Sequence, residues 1–169
     1  MKLSTNIWQL IGFAVTCILG VLLHFLYEWT NITILSIFSC VNESTWEHMK
    51  IAFWPMFLFA IIQSFYYKDK DDFWYIKLKG ILLGIILIPI IFYTYNGVIG
   101  KSPDWINISI FIICILIAYL YERNKLREQT QYYLSTKYSI ILLCIISLLF
   151  IIFSFKAPNL SIFIEHISK

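Results

Sequence analysis

Long apolar runs separated by short polar stretches dominate the chain. A helix rises about 1.5 Å per residue, so about 17 to 25 apolar residues cross the hydrocarbon core of a bilayer. Five runs have this length and are predicted to be transmembrane helices: residues 7–29, 46–67, 80–96, 105–121 and 138–155. A shorter apolar piece between the first two is too short to cross and is predicted to lie along the membrane interface. The pattern predicts an all-α integral membrane bundle with a single transmembrane domain over residues 1–169.

Composition supports the same class. Of the 169 residues, 60% are hydrophobic and only 14% are charged, too few to cover the surface of a soluble domain. We therefore expect a multi-pass protein of the cell membrane whose main partner is the lipid bilayer. The net charge of +3 gives no reason to expect nucleic acid as a partner. A homo-oligomer is compatible with the sequence.

The positive charges are concentrated in two of the predicted loops, residues 68–79 and 122–137. In a five-span protein these loops lie on the same side of the membrane, and the positive-inside rule places that side in the cytoplasm. The N-terminus is then predicted to be cytoplasmic. The C-terminus and residues 30–48 are predicted to be outside.

The most polar stretch of the chain, "VNESTWEHMK" at residues 41–50, lies on that outer side. Near it, at the end of the first span, His24 and Glu28 are four residues apart and share one helix face. His24 lies about 7 Å below Trp29 at 1.5 Å per residue, within the membrane. Ionisable groups at such depth are costly unless paired or hydrated, so a functional site is the default expectation.

Two histidines and nearby carboxylates are a suitable ligand set for a divalent metal such as zinc, with a position left for water. The predicted metal ligands are His24, Glu28 and His48. Glu43 and Glu47 are the predicted catalytic carboxylates, one of them acting as general base. No other cofactor is expected.

Helix capping is a competing explanation for part of this stretch. "STWE" at residues 44–47 has the form of a capping box, in which the Ser44 hydroxyl and the Glu47 carboxylate accept from backbone amides. A neutral His24 hydrogen-bonded between helices would also need no function. Capping leaves Glu43 and His48 unexplained.

Further polar residues are expected at the same end of the bundle. The third span ends in "YTYNGVIG". An interfacial aromatic belt is the alternative explanation for its two tyrosines. The remaining members of the predicted polar site are Asn42, Trp46, Lys50, Tyr93, Tyr95 and Asn96.

The segments "LHFLYEW", "FSCVNESTWEHMKIAFWPMFLFAI" and "FYTYNGVIG" resemble a family of small bacterial membrane proteins of unknown function. The resemblance covers most of the chain. In this chain the motif VNESxWEHxK supplies Asn42, Glu43, Trp46, Glu47, His48 and Lys50. The segment "LHFLYEW" supplies His24 and Glu28. The resemblance supports this choice of residues and implies no activity.

Three hypotheses about function remain at this point. The first is a metal-dependent membrane enzyme, a hydrolase acting on a lipid or surface substrate. The second is a small transporter or channel subunit whose polar site binds a cation or proton. The third is a non-catalytic accessory protein in which the cluster only packs helices. Metal content, flux and a structure showing whether His24 and His48 converge distinguish them.

Overall fold

A computed structural model describes residues 4–128 and 133–165. The described chain forms five α-helices: α1 Thr5–Thr30, α2 Thr45–Tyr66, α3 Phe73–Val98, α4 Asp104–Arg127 and α5 Thr136–Phe155. Short 3₁₀ helices follow α1 at Thr33–Ile37 and α5 at Ser161–Phe163, and these described residues contain no strand. All five α-helices are long and apolar enough to cross a membrane. The predicted all-helical membrane class is confirmed, whereas the orientation stays a prediction.

The helix α2 forms the centre of the bundle. About 61% of its apolar window is buried, against 17% for α1 and 22% for α5. It contacts α1, α3 and α5, while α4 packs against both α1 and α3. The outward apolar side chains of α1 and α5 match a lipid environment, where surface hydrophobicity has no cost. The helix α2 is therefore the most enclosed of the five spans.

Two helices are longer than the apolar runs indicate. The helix α3 begins at Phe73 instead of Gly80, and α4 continues to Arg127. Lys77, expected in a cytoplasmic loop, instead lies inside α3 and is fully buried. Glu122 of α4 is also fully buried and pairs with it, which explains why two charged residues remain within the bundle.

A candidate metal site where α1 ends and α2 begins

The segment between α1 and α2 is fastened to α1 by Ser39. The backbone N–H of Tyr27 donates to the Ser39 hydroxyl at 2.8 Å, and that hydroxyl donates to the Leu23 carbonyl at 2.5 Å. These are the two backbone groups that close one turn of an α-helix. The N–H of Cys40 donates to the same carbonyl at 3.2 Å. The loop is therefore held beside His24, the residue that follows Leu23.

The start of α2 is built around a buried ion pair. Lys50 Nζ lies 2.6 Å from Glu47 Oε2, and both side chains are almost completely buried. Glu47 also accepts from the Val41 N–H at 2.9 Å. The Ser44 side chain makes no cap hydrogen bond, so the predicted capping box is wrong. Lys50 holds the Glu47 carboxylate, which bonds to the preceding loop at Val41 instead of to the amide of Ser44.

This loop and the first turn of α2 bring three metal-ligating side chains together. Glu43 Oε1 lies 3.4 Å from His24 Nε2, and Glu43 Oε2 lies 3.7 Å from His48 Nε2. One ligand atom from each of the three residues falls within 4.8 Å of the others. Ligands of tetrahedral zinc are about 3.4 Å apart when the zinc–ligand distance is near 2.1 Å. Ligand atoms that lie within 4.8 Å of one another would have to approach this spacing to hold such an ion.

The hydrogen bonding of His48 favours its role as a ligand. Its Nδ1 lies 2.9 Å from the Ser44 carbonyl, which can only accept, so Nδ1 carries the proton. In the neutral ring, Nε2 then offers its lone pair on the side of Glu43. Metal-binding histidines are commonly oriented by a bond of this kind from the other ring nitrogen.

Two predicted site carboxylates lie outside this cluster. Glu28 is exposed on α1 and is not among the three residues whose ligand atoms converge. Glu47 is occupied by Lys50. A carboxylate that the sequence gives no reason to choose lies nearby instead: Glu165, near the end of the chain, accepts from the Glu43 N–H at 3.0 Å.

The thiol of Cys40 is buried near the same cluster. Burial, and after it the negative charge of Glu47, raises the pKa of this thiol well above its ordinary value of 9.0. Cys40 is also not one of the three residues whose ligand atoms converge.

The other predicted polar residues mainly hold neighbouring segments. Asn42 Oδ1 accepts from the Ser44 N–H, and Asn96 bonds to Ser102 in the turn after α3. The Tyr93 hydroxyl donates to the Ser161 carbonyl at 3.2 Å. Trp46 packs against aromatic side chains of α5 and the segment after it: Phe150, Phe153 and Phe163. Tyr95 is half-buried on α3.

A small cavity adjoins His48. It lies between α2, α3 and α4, is partly open, and has a volume of about 30 Å³. Its lining residues are Thr45, His48, Ile88, Phe92, Asn107, Ile110 and Phe111. His48 therefore faces both the cluster and a mainly apolar space.

A second polar cluster, which the sequence pattern did not predict, lies at the opposite end of α2. Lys77 Nζ lies 2.5 Å from Glu122 Oε2 and 2.8 Å from Gln63 Oε1, and all three side chains are buried. A Cβ at Gly80 would overlap the Glu122 side chain, so glycine is needed for this close approach. The sequence does place Lys77 and Glu122, which have opposite charges, beside the apolar runs of two successive spans, and this is the feature from which the pair could have been predicted.

The chain belongs to DUF6512, a family of unknown function, whose family model matches residues 1–169. The resemblance to such a family is thereby confirmed. No curated protein and no solved structure matches the chain.

Proposed function

We propose that this membrane protein binds a divalent ion such as zinc with His24, Glu43 and His48, and uses it to hydrolyse a lipid or surface substrate. The observation that carries the proposal is the convergence of three ligand atoms within 4.8 Å. One comes from α1, one from the loop and one from α2. This assigns Glu43 to the metal and leaves Glu28 outside the ligand set.

Three protein ligands with an open fourth position are typical of catalytic zinc sites. The Glu43 side chain is 62% exposed, so the site is open to water or substrate. His24, Glu43 and His48 would hold the ion, and a zinc ion held there would supply a water activated for attack on an ester or similar bond.

The packing of α2 supports a metal site that substrate reaches from the N-terminal end of this helix. Between Lys50 and Gln63, the buried side chains of α2 are apolar or aromatic: Ile51, Ala52, Phe53, Trp54, Pro55, Met56, Phe59 and Ala60. They separate the two polar clusters. An apolar segment between the two clusters favours a reaction at the metal site over the passage of an ion along α2.

Zinc binding by the purified protein tests the metal site on which the proposed hydrolysis depends. We expect one zinc ion per chain by elemental analysis, and His48→Ala should weaken zinc binding by more than about a hundredfold, since even residues that only orient a ligand contribute about 10- to 100-fold. Glu28→Gln is the matched control and should leave zinc affinity within about twofold of wild type on the same scale. Unchanged zinc binding in folded His24→Ala and His48→Ala proteins would overturn the site.

A further inference from the structure

We propose that the cavity beside His48 receives the apolar chain of the substrate. This proposal rests on the metal site proposed above. The substrate class is then an amphiphile with a hydrolysable head group. The head group binds at the ion held by His24, Glu43 and His48. The first carbons of its hydrocarbon chain enter the space between α2, α3 and α4.

The chemistry of the lining supports a hydrocarbon occupant. Four of the seven lining residues are isoleucine or phenylalanine: Ile88, Phe92, Ile110 and Phe111. A volume of about 30 Å³ exceeds the roughly 10 to 15 Å³ that a single water-sized sphere needs, so the space admits the first one or two carbons of a chain. Apolar spaces of this kind are filled more favourably by hydrocarbon than by water.

The polar lining residues already have partners. The Thr45 hydroxyl donates to the Tyr93 hydroxyl at 3.4 Å, and Asn107 Oδ1 accepts from the Ser102 hydroxyl at 2.6 Å. The third polar lining residue, His48, has its Nδ1 bonded to the Ser44 carbonyl, and its Nε2 faces the cluster. A chain without polar groups is therefore the best match for the remaining space.

Alkyl hydroxamates test this assignment without knowledge of the reaction, because the hydroxamate head binds zinc and the chain length can be varied. Binding of acetohydroxamate, butyrohydroxamate and hexanohydroxamate to the zinc-loaded full chain in lipid nanodiscs is measured by calorimetry. Each methylene that enters the cavity should raise affinity by about fourfold, and the gain should stop after one or two, so that butyrohydroxamate and hexanohydroxamate bind equally well. Carboxamides of the same chain lengths lack the zinc-binding head and serve as the control for partition of the chain into the lipid.

Filling the cavity should remove the dependence on chain length. Ile110→Phe and Ile88→Phe place a larger side chain in it from two different helices, so one misfolded variant does not end the test. Ile112→Phe adds the same volume on an exposed position of α4 and is the matched control. Both filling variants should retain wild-type affinity for zinc and acetohydroxamate. Ile112→Phe should retain the chain-length gain as well.

The two proposals fail in different ways. A wild-type protein that binds no zinc overturns the metal site and, with it, the cavity assignment. A protein that binds zinc and acetohydroxamate, but shows no gain with chain length, overturns the cavity assignment alone. Folded filling variants that keep the full gain would also overturn only the cavity assignment.

Discussion

At the scale of single residues, the Ser39 hydroxyl determines where the loop meets α1. It joins the Tyr27 amide and the Leu23 carbonyl, and it lies completely buried beside the chain segment that carries His24. No atom of Ser39 belongs to the three-residue cluster. Its influence on a bound ion would therefore act through the position of the loop and of Glu43.

Replacement of Ser39 by alanine should weaken zinc binding by about tenfold, comparable to the loss of other groups that orient metal ligands. The expected cause is a looser loop, which holds Glu43 less firmly between the two histidines. Zinc affinity of the purified variant is the measurement. Ser64→Ala is the control, because the bond found for the Ser64 hydroxyl among the described residues goes to the Ile61 carbonyl of its own helix. Equal affinities for Ser39→Ala and wild type would contradict this role.

At the scale of helices, the Lys77–Glu122 pair connects α3 to α4 and, through Gln63, to α2. Both charges are fully buried, so each depends on the other for compensation. Removing one partner of a buried pair leaves an uncompensated charge, whereas replacing both with apolar residues often has little net cost. The pair thus fixes which helix faces meet, without necessarily adding stability.

Single and double substitutions distinguish these effects. Lys77→Met or Glu122→Leu alone should lower the unfolding free energy by about 3 to 5 kcal/mol, and the double variant should regain most of it. Unfolding in mixed detergent micelles gives the measurement. Lys125→Met removes an exposed pair on α4 and should cause no detectable change. Losses that simply add in the double variant would argue against coupling between Lys77 and Glu122.

At the scale of the whole molecule, a membrane-spanning α2 has its two ends on opposite sides of the membrane. Positive charges then predict that residues 68–79 face the cytoplasm and that the candidate metal site faces outward. Such a site would meet lipid head groups and substrates at the outer surface. The orientation is therefore important for the proposed hydrolysis.

Labelling with a membrane-impermeant maleimide tests this orientation. Asp69→Cys lies in the exposed turn between α2 and α3, and Asn159→Cys lies after α5. We expect the cysteine at 159 to react in intact cells and the cysteine at 69 to react only after the membrane is permeabilised. Wild type, with its four native cysteines, gives the background. The reverse pattern would invert the orientation and place the metal site in the cytoplasm.

The fold class could be predicted because the length of an apolar run reports directly on membrane crossing. The region of the site was predictable for a related reason: His24 and His48 are ionisable groups beside apolar runs. The central position of Glu43 and the separate pairing of Glu47 with Lys50 depend on the loop conformation. That conformation rests on the contacts of Ser39 with α1, sixteen residues from Leu23.

The Lys77–Glu122 pair illustrates why helix ends were harder to predict. A lysine near the end of an apolar run can extend its ammonium group to water or turn inward to a partner. Both conformations have the same local sequence. Only the packing of α3 against α4, with Gly80 beside Glu122, selects the inward one.

The bond between Tyr27 and Ser39 also has a consequence for dynamics. The Tyr27 amide hydrogen, although located in a helix, is held by a side chain of the loop. Its exchange with solvent deuterium therefore requires the loop to move away from α1, and the exchange rate reports the free energy of that opening. An ion bound to His24, Glu43 and His48 would resist the same motion. Protection of this single amide would thus follow occupancy of the site, even though Tyr27 is not one of the three residues of the cluster.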